Sequence, residues 1–154
     1  MDYPLIKMIH LISVIFAVGF AMGPEILLFK ATRSDDVKNI RFIFNMAEPL
    51  SRIAPLLFII GLISGLLTAH QAGFDLLAPW LILSYIVFTI TIGLDILFHL
   101  PWAKRIRIAA ENSNLESPSS ELKAALADRR GEITLWVGPI AIVILIGLMT
   151  LKPF

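Results

Sequence analysis

Asp95-Ile-Leu-Phe-His99 sets a carboxylate and an imidazole four residues apart inside a long apolar run. On a helix that spacing puts both on one face, a turn apart. Oxygen and imidazole donors so placed suit Zn, Mn or Fe. Three further acids, Glu25, Glu48 and Glu132, stand in or beside other apolar runs and would extend the donor set. The pattern departs from the di-iron bundles, which need Glu-x-x-His on each of two helices. The remaining histidines are His10, inside the first apolar run, and His70, at the end of the second. A histidine inside a membrane helix can be an axial ligand of haem b. His10 would be that ligand, with His70 and the cation Lys152 at the same depth. The chain has no cysteine, which excludes thiolate ligands, disulfides and thiol redox chemistry.

These groups need elements to carry them. Of the 154 residues 57% are hydrophobic, as in a polytopic membrane protein. Four runs are long enough to cross about 30 Å of hydrocarbon as helices, at about 4–29, 49–70, 79–102 and 133–151. In lipid such runs must be helical, because the backbone cannot leave its polar groups unpaired. The reading is all-α: one integral membrane domain over residues 1–154, a four-helix bundle with connections at 30–48 and 103–132. The first run is too long for a signal peptide and lacks a basic start, so it is expected to be retained.

Charge orients the bundle. The first connection carries Lys30, Arg33, Lys38 and Arg41, with Arg52 just beyond. The third carries Lys104, Arg105, Arg107, Lys123, Arg129 and Arg130, whereas the second, 71–78, has no Lys or Arg. The positive-inside rule then places both termini outside, in the periplasm of a bacterial inner membrane, and the basic connections in the cytoplasm. The net charge of +1 is thus a matter of topology and points to no nucleic acid. The expected partners are the lipid bilayer and either further copies of the chain or a membrane redox partner.

At about 100° per residue, Lys7, His10, Ser13, Val14, Ala17, Ala21, Pro24 and Glu25 share a stripe on the first helix. Glu48, Arg52, Pro55, Ile59, Leu66 and His70 share one on the second, and Ser84, Phe88, Thr91, Asp95, His99 and Trp102 one on the third. On the fourth the stripe runs from Arg130 and Glu132 through Trp136, Pro139 and Thr150. Ionisable groups are costly in lipid, so these stripes are expected to face inward. Depth sorts them into an outer group, Lys7, His10, His70 and Lys152, and a cytoplasmic group, Glu25, Glu48, Arg52, Asp95, His99 and Glu132. Along the first helix His10 and Glu25 stand about 22 Å apart, too far to share one ion. Glu48 and Arg52 form an i,i+4 pair. Gly19-x-x-x-Gly23 and Gly61-x-x-x-Gly65 would let helices approach closely. Residues 41–46 read as an amphipathic lead-in to the second helix, and Lys104–Ala110 as an extension of the third. Ser117-Pro118 reads as a cap and first residue of a short helix.

Pro4-Leu-Ile-Lys-Met-Ile-His10-Leu-Ile-Ser-Val-Ile, with Gly19 and Gly23-Pro24, resembles the opening helix of the HemJ-type four-helix membrane protoporphyrinogen oxidases and the CopD-like copper-resistance membrane proteins. The likeness recurs at Trp80 to Ser84, at His99, at Arg130 and Glu132, and at the ending Lys152-Pro153-Phe154. It implies a four-helix membrane bundle, haem b bound through His10, and redox or tetrapyrrole chemistry, with His99 and Glu132 carried over as polar residues. The chain departs from the oxidase pattern where that pattern has Arg, Lys and Tyr-His; here stand Glu25, Ser84 and Phe29-Lys30. Two cations suited to porphyrin propionates are missing. The reading is therefore a divergent relative that binds haem b or a metal in a redox or metal-handling role. The alternative is a non-catalytic subunit or scaffold whose polar stripes only pair helices. Transport is the weaker third, since no inverted repeat with broken helices is evident.

Overall fold

The computed structural model describes residues 2–153; the side chains at 48, 51 and 52 lie outside that description, and with them the expected Glu48–Arg52 pair. The described residues form helices and no strand: α1 (Tyr3–Ala31), α2 (Val37–Gln71), α3 (Pro79–Leu94), α4 (Leu100–Asn112), α5 (Ser120–Leu126) and α6 (Arg129–Leu151). A π-helical turn, Asp95–His99, joins α3 to α4 without a break. Four helical stretches are long and apolar enough to cross a membrane: Tyr3–Ala31, Ile53–Gln71, Pro79–Asn112 and Arg129–Leu151.

The chain folds as two antiparallel pairs, α1 with α2 and α3 with α6. The first turn of α1, the α2–α3 connection and the last turn of α6 meet at one end, the terminal end, where Lys152 Nζ lies 3.9 Å from the centroid of the Phe74 ring. The basic connections gather at the other, the basic end. Large apolar side chains such as Ile15, Ile26, Leu97 and Val143 point outward. In water that would be a liability; in lipid it is the low-energy arrangement.

Most of the tightly buried core lies at the basic end. Leu28 and Ala31 of α1 pack with Val37, Ile40 and Phe44 of α2, Trp102, Ile106 and Ala110 of α4, Leu122 of α5 and Leu135 of α6. The start of α2 is thus helical well before the expected residue 49 and continues through Pro49 and Pro55. Its amphipathic first turns have a core of their own to cover, and Asp36 caps them by accepting from the Lys38 N–H at 2.9 Å. The third helix likewise runs on to Asn112. Arg41 donates to the carbonyls of Ala110 (2.7 Å), Glu111 (2.9 Å) and Ser113 (2.5 Å), supplying partners at the end of α4. The short helix α5 starts later than expected: its cap is Ser119, which accepts from the Leu122 N–H, and Pro118 lies before the helix.

The face that α2 turns inward differs from the charged stripe. Pro55, Ile59 and His70 are exposed, and the buried residues are Ala54, Gly61, Ser64 and Ala69. Small side chains win because they let α1 come close enough for side chain–backbone contact. A methyl group on Gly61 would meet Val14 and Ser13, and one on Gly65 would meet the ring of His10. Gly19 and Gly23 of α1, by contrast, face open space and mediate no approach.

Candidate functional site

Three sequence-selected residues converge near the basic end. Glu25 comes from α1, one residue after the helix-interior Pro24; Asp95 and His99 are the first and last residues of the π-helical turn. One donor atom of each lies within 4.8 Å of the other two. His99 Nε2 stands 3.3 Å from Glu25 Oε1. His99 is buried, Glu25 is half-buried, and Asp95 is exposed at the bundle surface rather than enclosed.

The π turn positions the pair. The Leu100 N–H reaches back five residues to the Asp95 carbonyl, so the turn is wider than an α turn. Behind His99, Thr134 of α6 donates to the Gly131 carbonyl at 2.6 Å. Its only proton is thereby used, so it offers lone pairs to His99 Nδ1, 3.5 Å away. With a cation between His99 and Glu25, hydrogen on Nδ1 would face Thr134 and the Nε2 lone pair would face the ion, as in a metal-ligating histidine with its outer partner. Without one, the 3.3 Å approach of Nε2 to the Glu25 carboxylate calls for hydrogen on Nε2. Glu25 Oε2 is buried with no hydrogen-bond partner among the described residues. Such an orphan atom costs on the order of 1–3 kcal/mol, more if charged, unless a cation or proton meets it. Ligand atoms about 2.1 Å from a shared ion lie about 3–4 Å from one another, so donors within 4.8 Å would have to draw closer to share one.

His99 is also braced by Trp102, whose ring centroid is 5.8 Å from its own. Trp102 is fully buried and donates Nε1–H to the Ala125 carbonyl at 3.2 Å. Its indole lies so close to Gly131 that a methyl group there would overlap Cγ, Cδ1 and Cδ2. Glycine at 131 is thus the condition for α6 to pass this ring. Thr134 and Gly131 were not among the expected site residues. Helical spacing was the available signal: both lie within five residues of Glu132 on the same helix.

Two other expected donors do not join the group. Glu132 turns to Arg33, with Oε1 3.2 Å from Nη2 on the exposed surface. The side chain of Glu48 lies outside the described residues. Nearby, Asp128 caps α6 through the Arg130 N–H at 3.1 Å and pairs with Arg105 at 2.7 Å. The Arg105 hydrogen bond holds the Asp128 carboxyl below its ordinary value.

At the terminal end Lys7, His10 and Lys152 line one cavity of about 350 Å³. His70 is exposed and does not line it, so the two outer histidines are not brought together. His10 sits against Gly65 with Nδ1 2.8 Å from the Gly61 carbonyl. Nδ1 is therefore the donor, which leaves the Nε2 lone pair free.

One family model, described as "Predicted integral membrane protein (DUF2269)", matches residues 4–153. No curated protein matches the chain, and no solved structure matches it.

Proposed function

The chain belongs to the DUF2269 family of integral membrane proteins, and we propose that it is a metal-binding member that holds one divalent ion at Glu25, Asp95 and His99. The observation that carries this reading is the convergence of three donor atoms within 4.8 Å, beside a Glu25 Oε2 that has no partner among the described residues. Two carboxylates and one imidazole suit Zn, Mn or Fe(II). When bound, such an ion supplies Lewis acidity or, for Fe and Mn, a one-electron couple. Glu25 and Asp95 would balance its charge, Thr134 stands on the Nδ1 side of His99, and Trp102 packs against the imidazole. The role is metal handling or redox in a bacterial inner membrane. Both termini face the periplasm, as the charge of the connections favours, and a redox partner or a second copy approaches on the membrane face where Asp95 is exposed.

Metal content of purified protein, measured by plasma mass spectrometry, tests this. Close to one Zn, Mn or Fe per chain is expected in the wild type, with most of it lost in His99→Ala and Glu25→Gln. Equal metal in wild type and His99→Ala would refute it, as would a metal-free wild type after growth with each metal.

A second reading concerns the terminal end. The fixed tautomer of His10 and the cavity beside it favour haem b held through Nε2, as the resemblance to the HemJ-type and CopD-like proteins implies. Lys152 would face a propionate, and His70, being exposed, would take no part. A Soret band lost in His10→Ala supports this reading; a colourless protein from haem-replete cells counts against it.

A further inference from the structure

At the basic end the two helix pairs close on a packed core, but at the terminal end they part around the cavity of about 350 Å³. Its walls are mostly apolar, with Val14, Phe58, Leu66, Phe88 and Leu145 contributed by all four spanning helices and His10 and Ser84 among the few polar groups. Lys7 and Lys152 also line it, one near the first turn of α1 and the other at the end of α6. Neither ammonium has a carboxylate partner among the described residues. Lys7 Nζ is 5.9 Å from the Tyr3 ring centroid, and Lys152 Nζ lies near both Phe74 (3.9 Å) and Trp80 (5.8 Å). Aromatic rings and snorkelling lysines mark the level of the lipid headgroups. Two cations at that level with no carboxylate partner among the described residues, above a largely apolar hollow, complement a molecule with an anionic head and a hydrocarbon body.

We propose that this cavity binds an anionic phospholipid of the surrounding bilayer, its phosphate held by Lys7 and Lys152 and one acyl chain lying between the helix pairs. The bilayer is the source because the cations stand at headgroup depth, where phosphates are already concentrated. The lipid fills the space that the helices leave and ties α1 to α6 where their own contact is thin. The metal donors lie at the opposite end of the bundle, so those two sites can fail separately, whereas haem on His10 would occupy this same cavity and exclude the lipid.

Native mass spectrometry of delipidated protein given phosphatidylglycerol, phosphatidylcholine or oleate tests this. The wild type should retain one phosphatidylglycerol per chain, and phosphatidylcholine at least about tenfold less. Lys7→Gln with Lys152→Gln should weaken phosphatidylglycerol retention by about thirtyfold, the scale of two lysines near an anionic surface. Lys7→Arg with Lys152→Arg should keep it. Leu145→Trp, which fills the chain space, should lower retention with both lysines present and leave the metal content unchanged. The proposal is overturned if the glutamine pair retains phosphatidylglycerol like wild type, if the arginine pair loses it as the glutamine pair does, if phosphatidylcholine binds equally well, or if oleate alone is retained.

Discussion

Replacing Gly65 by alanine probes how closely α1 and α2 are fitted. The new Cβ would stand 2.8 Å from His10 Cε1 and 3.0 Å from Nδ1. Comfortable contact begins near 3.5 Å, so the imidazole must retreat by roughly 0.7 Å. The hydrogen bond from His10 Nδ1 to the Gly61 carbonyl is 2.8 Å long. A retreat of that size along the bond stretches it to about 3.5 Å, where it no longer counts as a bond. Overpacking costs about 1–3 kcal/mol and the lost bond about 0.5–1.5 kcal/mol, while alanine returns about 1 kcal/mol of helix propensity. The net expectation is a destabilisation of about 2 kcal/mol. Equilibrium unfolding in mixed micelles, followed by circular dichroism, reads it. Gly19→Ala and Gly23→Ala, which meet nothing within 4 Å, are the controls and should be neutral or stabilising. His10→Ala removes the colliding ring, so Gly65→Ala should be tolerated in that background, a coupling of opposite sign. If Gly65→Ala unfolds at the wild-type midpoint, or costs as much without His10 as with it, the close fit described for this pair is wrong.

Gly131→Ala should cost more, about 3 kcal/mol or above, because its methyl overlaps a fully buried indole; a near-wild-type thermal midpoint, or an unchanged Trp102 fluorescence spectrum, would contradict this. Arg41→Gln should cost about 2 kcal/mol by removing a charged donor from three carbonyls, and amide exchange at residues 110–113 should rise most. Asp128→Asn keeps the cap but weakens the Arg105 pair, which is partly exposed, so the loss at neutral pH is at most about 1 kcal/mol. Because the Asp128 carboxyl is held below its ordinary value, the stabilisation is complete above about pH 4 and disappears as pH falls through the lowered value. The gap between wild type and variant should therefore close in acid; a gap that widens there would reverse the sign.

The spanning helices were legible because lipid leaves few options: long apolar runs bounded by charge must be helices, and their ends came within a few residues for α1 and α6. The extensions were harder to read. The stretch before Pro49 is polar on one side, and its burial depends on Trp102, Ile106 and Leu122, remote in sequence. On α1 and α3 most of each polar stripe is turned inward, with Ser13, Ala17 and Pro24, and Ser84, His99 and Trp102, enclosed, but Lys7 and Asp95 are exposed, and on α6 Arg130 and Trp136 of the expected stripe face outward. On α2 charge misled, since close packing through Gly61, Ser64 and Gly65 decides which side turns inward. The pairing of His99 with Glu25 follows from depth along antiparallel helices. The departure of Glu132 towards Arg33 does not, because a connection supplies the competing cation. Spacing also places Asp95 and His99 together without disclosing the widened turn that holds them.

That widened turn amounts to one surplus residue threaded into an otherwise continuous rod from Pro79 to Asn112. Each residue advances an α-helix by about 100°, so the insertion sets the phase of the distal half against the proximal half. Deleting a single residue between Leu94 and Leu100 would restore regular i→i+4 bonding and improve the rod as a rod. It would also swing either Trp102 or Ser84 out towards the acyl chains. The irregularity is what allows one polypeptide segment to serve two differently oriented neighbourhoods, and a well-formed helix in its place would serve only one.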